Sequence, residues 1–533
     1  MYLSDIVARL FSPTSYALSI SAVLLLLYLR HVNRALASTP DEAARAASKP
    51  WTDREIRETY QKIKQSPVDI RKHLPPKQSR RYIVTGGAGK PYGRSPSMQR
   101  NLLISRVGLV GGSLVQHLLA RGEDIGAIRI IDVRRPTPEV AGGLRRSAEL
   151  SRVHFEAADI TSPGSVDHAF SVPWPSSVAD RPLTVFHTAA TIRFAERAED
   201  LLPLSEQVNV LGTKNVLAAA KAAGASIFIA TSSGAIAIRR ANFWVWPWQR
   251  FPTRFFQTIR DADYDLTRPH ATYFGNYPVS KATAERIVRA ADDPSTHFRT
   301  GAIRPASGVY GTSQDNTVGS YMRRGGVVDW IAHIINPFVY TENVSLAHLL
   351  LERYLITPAR STPGGEPVDI GGSAFTVTDP NPPIRFGDIA RLLCTLLASP
   401  ITFTPVPPIV FFVLAHLIEG YALFQFRYAR RVLPALKGDL AFLQPALFAI
   451  CCVHLFYDDG EARKRPEEGG LGYRGAWTSM EAMCQQVLVW NEEWKARFGG
   501  EDMGKKEEES VLDEVKGVAG LATSLPVASA QSS

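Results

Sequence analysis

The chain has 533 residues, 45% hydrophobic and 21% charged, with a formal net charge of +9; that length and apolar share exclude a small disulfide-built scaffold and a disordered chain. Arg30 to Arg81 alone holds 13 Lys/Arg against 6 Asp/Glu. Outside that stretch and residues 90–107 the chain is slightly acidic, which excludes a nucleic-acid groove and points to a basic segment beside a membrane. Cys394, Cys451, Cys452 and Cys484 have neither Cys-x-x-Cys spacing nor a His cluster, so they read as buried thiols, and no metal is expected.

Leu10 to Leu29 reads as a membrane-spanning helix of about the length a bilayer core requires. Arg30, His31 and Arg34 follow at once and outweigh Arg9, which places the downstream bulk on the cytosolic side. Ala35-Leu36-Ala37 resembles a signal-peptide cleavage site, but two arginines separate it from the apolar run, so residues 1–35 read as an anchor. Residues 36–78, with Pro40, Pro50, Pro67, Pro75 and Pro76, read as a basic linker containing one short helix near Asp53 to Lys64.

Tyr82-Ile83-Val84-Thr85 is a β-branched strand that breaks into Gly86-Gly87-Ala88-Gly89. Leu109 to Leu119 then has one apolar helical face. Joined directly, the two spell strand, Gly-x-x-Gly-x-x-Gly, helix. Gly86 makes the tight turn, Gly89 lets backbone N–H groups approach a pyrophosphate, and Gly111 lets the helix pack close to its strand. Residues 90–108 separate them at the point where a phosphate loop tolerates insertion least. They carry Lys90, Arg94, Arg100 and Arg106, no acid and no clear period, and their removal restores the loop in frame. The insert reads as a retained intron or gene-model error; the alternative is a real surface excursion with Gly108 taking the place of Gly89.

Ile128 to Asp132 is a parallel-sheet strand whose terminal acid suits the adenine-ribose hydroxyls of NAD, while Arg134 and Arg135 leave NADP open. Val153 to Ile160 is the next strand; Asp159 stands where an acid meets adenine, or caps a turn. In Thr184 to Ala190 the small Ala189 and Ala190 leave room for a nicotinamide ribose, and His187 reads as a satisfied histidine under the turn. Asn209 and Thr213 share a helical face, where a buried amide holds a backbone group or water, or is purely structural. Ile227 to Ala230 is a buried strand ending in Thr231-Ser232-Ser233-Gly234, at the edge where open α/β sheets bind ligands. Tyr277-Pro278-Val279-Ser280-Lys281 opens a helix that sets phenol and ammonium four residues apart on one side. A nearby ammonium favours phenolate and is expected to lower the tyrosine pKa, giving an acid/base near neutrality. Ser233 then bonds the substrate oxygen, Tyr277 exchanges its proton and Lys281 holds the nicotinamide ribose.

These motifs, VTGGAG (84–89) with LVGG (109–112), HTAA (187–190), NVLGTKNVL (209–217), TSSG (231–234), YPVSK (277–281), RPASGVYG (304–311) and ENVSLAHLL (342–350), resemble the extended short-chain dehydrogenase/reductase superfamily. Within it the chain is most similar to the 3β-hydroxysteroid dehydrogenase group, including the membrane-bound, decarboxylating sterol-4α-carboxylate 3-dehydrogenases. The resemblance implies an α/β fold, a Rossmann-type doubly wound parallel sheet over residues 79–310 and a smaller substrate lobe over 311–499. It implies Ser233, Tyr277 and Lys281 as catalytic triad with Asn209 as a fourth member, Pro305 and Val309 on the nicotinamide side, and Asp159 and Ile160 on the adenine. It further implies an NAD-dependent oxidation of a sterol-like ring hydroxyl at the endoplasmic reticulum membrane, with a homodimer or a complex with other sterol enzymes left open. A sugar-nucleotide epimerase, a ketone reductase and a non-catalytic membrane scaffold are the rival readings.

Phe243-Trp244-Val245-Trp246-Pro247-Trp248 suits a flat apolar substrate or a membrane interface. Ile409 to Leu417 is strongly apolar but short, and reads as a substrate-lobe or monotopic helix, with Arg427, Arg430 and Arg431 facing anionic headgroups or solvent. Residues 500–533 read as a disordered tail.

Overall fold

The computed structural model describes residues 13–86, 108–135, 144–361, 365–436 and 438–498. Gly89, the insert up to residue 107 and the tail expected from residue 500 lie outside the described residues. The centre is a seven-stranded parallel sheet built from β1 (Arg81–Thr85), β2 (Ile128–Asp132), β3 (His154–Ala157), β4 (Leu183–His187), β5 (Ala225–Thr231), β6 (Arg299–Pro305) and β7 (Ser373–Val377). Their spatial order is β7-β6-β5-β4-β1-β2-β3. Strand order therefore reverses at β1, and the crevice above β1 and β4 is the place where such sheets bind ligands. The register sets Val84 beside Ile130 and Phe186, then Phe186 beside Ile229.

The strands are apolar because both faces are covered, as a parallel sheet requires. Alternation decides which face: Tyr82 and Val84 enter one core, and Ile83 between them enters the other. Six helices frame the sheet and the site it carries: α1 (Pro13–Leu36), α2 (Leu109–Ala120), α3 (Gly212–Ala222), α4 (Asn276–Arg289), α5 (Thr341–Ile356) and α6 (Pro408–Tyr428). Leu114 and Leu118 of α2 share the first core with Val344 and Leu351 of α5. Val216 and Ala220 of α3 share the second with Val288 of α4. Arg129 sits within fully buried β2, yet its guanidinium lies 4.1 Å from the Trp174 ring centre and donates to the carbonyls of Ala169, Val172 and Pro173. Its charge is thereby held at the sheet edge while the stem fills the core.

Three sequence expectations need correction. The chain does not leave the nucleotide lobe for good after Gly311: it returns with α5 against α2, and with β7 as an edge strand paired to β6. An open sheet edge and a bare α2 face would otherwise stay in water, and these pieces cover them. Residues 36–78 are no free linker, because Ile56 and Ile63 of the Asp53–Gln65 helix are fully buried against Leu392 and Val487. That helix starts in a capping box, Thr52 Oγ1 accepting from the Glu55 N–H and Glu55 accepting from the Thr52 N–H. Among the cysteines Cys394 is exposed, not buried, because it faces away from the buried Leu392–Leu393 side of its helix.

α1 and α6 are both long and apolar enough to cross a membrane. α6 continues past Leu417, and Glu419 within it is held in a two-pronged pair with Arg197, both contacts 2.6 Å. Only the end of α1 enters the core, through Val32, Ala35 and Leu36. Leu24 and Leu26 remain more than half exposed.

Candidate active site

The carboxyl ends of β4, β5 and β6 form the floor of a cavity of about 280 Å³. Leu109 and Val110, at the start of α2, close one side. Of the residues singled out by sequence, Ala190, Ser233, Tyr277, Lys281, Pro305 and Val309 line it. Tyr277 and Lys281 stand one turn apart on α4, both buried, while Ser233 follows β5 and caps the turn Gly234–Ala237 by accepting from the Ala235 N–H at 3.2 Å.

Burial pushes the Tyr277 phenol pKa above its ordinary value, and the nearby Ser233 hydroxyl only partly offsets this. The expectation that Lys281 lowers it is therefore corrected: the ammonium donates to the Thr231 carbonyl at 2.6 Å instead. Burial brings the Lys281 pKa down to about 8, opposed by the carboxylate of Glu285.

Asn209 does not line the cavity. It lies in a one-turn π-helical widening, Gln207–Leu211, the kind of helix distortion often found near functional sites. Its amide accepts from the Thr191 N–H at 2.8 Å and donates to the Thr191 carbonyl and to Ser280 Oγ. Asn209 thus ties the loop after β4 to the helix that carries Tyr277 and Lys281. His187 bonds Thr85 through Nδ1 and Thr213 through Nε2, and burial holds its pKa down to about 3, so it is a neutral spacer under the turn.

Gly86 has φ +80°, and its N–H donates to Ile131 at 2.9 Å. A Cβ there would lie 2.6 Å from the Ala189 backbone, so only glycine lets the turn after β1 pass the end of β4. Gly111 is buried in the first turn of α2, and Ala189 stands beside the Gly86 turn rather than in the cavity wall. Asp132, at the end of β2, is buried and accepts from the Val133 N–H at 2.6 Å. Asp159 accepts from the N–H and hydroxyl of Thr161 (2.9 and 2.8 Å), a local turn. Ile160 packs over Gly212, and its carbonyl accepts from the Asn215 amide. Asp132, Asp159 and Ile160 all lie beyond β1 from the cavity, on the side where an adenosine would extend.

The sequence from residue 102 to 400, more than half of the chain, matches the profile of the 3-beta hydroxysteroid dehydrogenase/isomerase family. The chain belongs to that family. It is similar to the sterol-4-alpha-carboxylate 3-dehydrogenase, decarboxylating, of Bos taurus, 28% identical over 56% of this chain and 71% of that one. The Saccharomyces cerevisiae protein of the same name is 26% identical over 54% and 74%. A 3-beta-hydroxysteroid dehydrogenase of Mycolicibacterium neoaurum is 28% identical over 55% and 68%. Among solved structures, a UDP-glucose 4-epimerase of Thermotoga maritima aligns over 78% of this chain and 99% of its own, at 16% identity and a TM-score of 0.48.

Family membership makes the chain an NAD-dependent oxidoreductase. The residues present fit that cofactor. A buried acid ends β2, and of the two arginines that follow it Arg135 lies 5.1 Å from the Phe155 ring centre while Arg134 is exposed.

Sequence reasoning passed over two groups. Glu285, one turn beyond Lys281, accepts from Ser232 Oγ at 2.5 Å and pairs with Arg304, which also reaches Asp261 at 3.0 Å. The i, i+4 spacing from Lys281 to Glu285 was a legible signal. Tyr457 comes from the far end of the chain, bonds Ser307 at 2.9 Å and presses on Gly234, where a Cβ would meet its ring at 2.6 Å. No local pattern announced it.

Proposed function

We propose that this oxidoreductase acts on the 3-hydroxyl of a sterol or similar lipophilic ring substrate, with loss of CO2 when C4 carries a carboxylate. The observation that supports it is the cavity itself: Ser233, Tyr277 and Lys281 meet at one end, and Ile192, Phe194, Ile331, Phe338, Leu447 and Ile450 wall the rest. Such walls suit an apolar ring system, with a few polar groups to orient one oxygen. Asp315 also borders the cavity, but its carboxylate is taken up by the N–H groups of Gly311, Thr317 and Gly319.

NAD supplies the hydride acceptor. Ser233 donates to the substrate oxygen and holds it against Tyr277, which takes the hydroxyl proton as the C–H bond breaks. Lys281 holds the nicotinamide ribose, and its positive charge favours the phenolate form of Tyr277 when the ammonium turns from Thr231 to the ribose. Pro305 and Val309 support the nicotinamide side, and Asp132 receives the adenine-ribose hydroxyls. A C3 ketone beside a C4 carboxylate is a β-keto acid. Its C4–carboxyl bond breaks with the electron pair entering the carbonyl, and the enolate then takes a proton, so no further protein group is required.

The apolar surfaces of α1 and α6 support membrane attachment, with the endoplasmic reticulum and a cytosolic active site as the proposed setting. The Asn343-Val344-Ser345 sequon offers no test of sidedness, because Asn343 and Ser345 are fully buried.

NADH formation by the purified chain, and by a form lacking residues 90–108, is to be measured with 3-hydroxysteroids, a 4-carboxysterol and UDP-glucose. Turnover of a 3-hydroxysteroid is expected; turnover of UDP-glucose with no sterol oxidised overturns the proposal. A second reading, a non-catalytic membrane paralogue, is favoured by one observation: the family match starts at residue 102, inside the insert, leaving β1 and Gly86 outside it. Calorimetry with NAD on both forms separates the two, and binding by neither establishes the paralogue.

A further inference from the structure

A second cavity, of about 550 Å³, lies behind the active site. The short helix Pro445–Cys451 divides them: Leu447, Ile450 and Cys451 face the active site, and Pro445, Ala446 and Ala449 face the second cavity. Its opposite wall is Phe243 and Trp244 of the tryptophan loop with Phe412 of α6, the Trp244 and Phe412 ring centres 4.8 Å apart. The loop therefore lines this cavity and not the catalytic one, which corrects its expected place beside the substrate.

Three arginines, Arg197, Arg240 and Arg254, border the same cavity. Arg197 is paired with Glu419. Arg240 and Arg254 stand at the base of the tryptophan loop, both exposed, and neither has an ion-pair partner among the described residues. Partial burial, and then the Arg197 charge, depress the Arg240 pKa, while the Glu419 carboxylate opposes them. Three guanidinium groups thus face one carboxylate. By contrast, Arg427, expected to meet headgroups, is bound to Asp200 at 2.7 Å, and Arg430 leans on the Phe426 ring.

The surroundings identify what brings the anion. Beyond the arginines, the loop carries Trp246 and Trp248, stacked at 5.2 Å and 58% and 77% exposed, and α6 carries Leu417, 67% exposed. Tyr28 of α1 stacks on Trp244, and His31 bonds the Trp246 carbonyl at 3.1 Å, so the proposed anchor helix meets the same face. Tryptophan rings favour the headgroup level of a bilayer, and guanidinium forks match phosphate oxygens.

We propose that the second cavity binds one anionic phospholipid of the membrane, its phosphate between Arg240 and Arg254 and its chains along Phe243, Trp244 and Phe412. This rests on the membrane reading above and adds a lipid class and a site to it. Binding holds α6 and the tryptophan loop against the helix that walls the active site.

The test is native mass spectrometry of the full chain in detergent, titrated with phosphatidylserine or phosphatidylcholine. One phosphatidylserine is expected to bind in preference to phosphatidylcholine. The double variant Arg240→Ala/Arg254→Ala should weaken phosphatidylserine about thirty-fold and phosphatidylcholine by less, because the choline cation already offsets the charge of its phosphate. Both arginines are exposed, so the variant should retain the fold; Arg427→Ala/Arg430→Ala, removing equal charge at the end of α6 and just beyond it, should bind as the parent does. Equal retention of both lipids, or equal loss in both double variants, overturns the site. Displacement of phosphatidylserine by millimolar inorganic phosphate overturns the lipid assignment, since the site then takes a free anion. Co-sedimentation with neutral vesicles reports on membrane attachment separately and does not depend on these arginines.

Discussion

Tyr277 must lose its proton before it can take one from an alcohol, and burial raises its pKa above the usual value of about 10. Lys281 must keep its proton, and its pKa is about 8. The form with both in place is therefore a minority at every pH. Its population grows about tenfold per pH unit below the Lys281 pKa and levels off above it, because phenolate gained is then matched by ammonium lost. Alcohol oxidation should rise with pH up to about 8 and then flatten. With Lys281→Arg the break should vanish and the rate continue upward, since a guanidinium stays charged. A falling rate between neutral pH and 8 would contradict this assignment. Tyr277→Phe should lower turnover by about 10²–10⁴-fold with NAD binding retained. Asn209→Ala should act differently: it unties Thr191 from α4, so thermal stability drops by about 1–3 kcal/mol with the pH profile unmoved.

α4 is where local sequence and tertiary packing meet. The Tyr-x-x-x-Lys spacing placed phenol and ammonium on one side, and that much was readable from the residues. The state of each group was not. Glu285 extends the same stripe and pairs with Arg304 of β6, which reaches Asp261; Asp261 accepts from Thr376 of β7 at 2.9 Å. Glu285→Gln leaves the buried Arg304 with Asp261 but without its main carboxylate and should cost about 1–3 kcal/mol, read from denaturant unfolding. The same change removes the charge that raises the Lys281 pKa, so the break in the pH profile should move below 8. The turn after β1 is the other decisive element. Gly86→Ala adds a Cβ against Ala189 at a positive φ and should destabilise by about 2–4 kcal/mol, measured by thermal unfolding.

On the scale of the whole molecule, α1 is both a proposed anchor and a packed element. Removing residues 1–27 leaves Tyr28 on Trp244 and Val32 and Leu36 in the core, so the fold should survive. That truncated chain should still sediment with neutral vesicles through α6 and the tryptophan loop. Removing residues 1–36 strips Val32 and Leu36 as well and should lower the unfolding free energy by about 3–5 kcal/mol. Equal stability of the two truncations would show that the end of α1 is only a tether.

The sequence by itself determined the order of chemistry along the chain: a glycine turn, an acid-ended strand, a serine-ended strand, and Tyr and Lys one turn apart. Those features are local, set by periodicity, turn geometry and helical spacing, and they hold wherever the segment lies. Tertiary structure alone decided that Ser373–Val377 completes the sheet, that Ile56 and Ile63 make a core element of an expected linker, and that Tyr457 presses on the turn after Ser233. It also decided the protonation of Tyr277 and Lys281, because burial and charge depend on neighbours from distant parts of the chain. A residue's own sequence context carries no record of which remote surface will cover it.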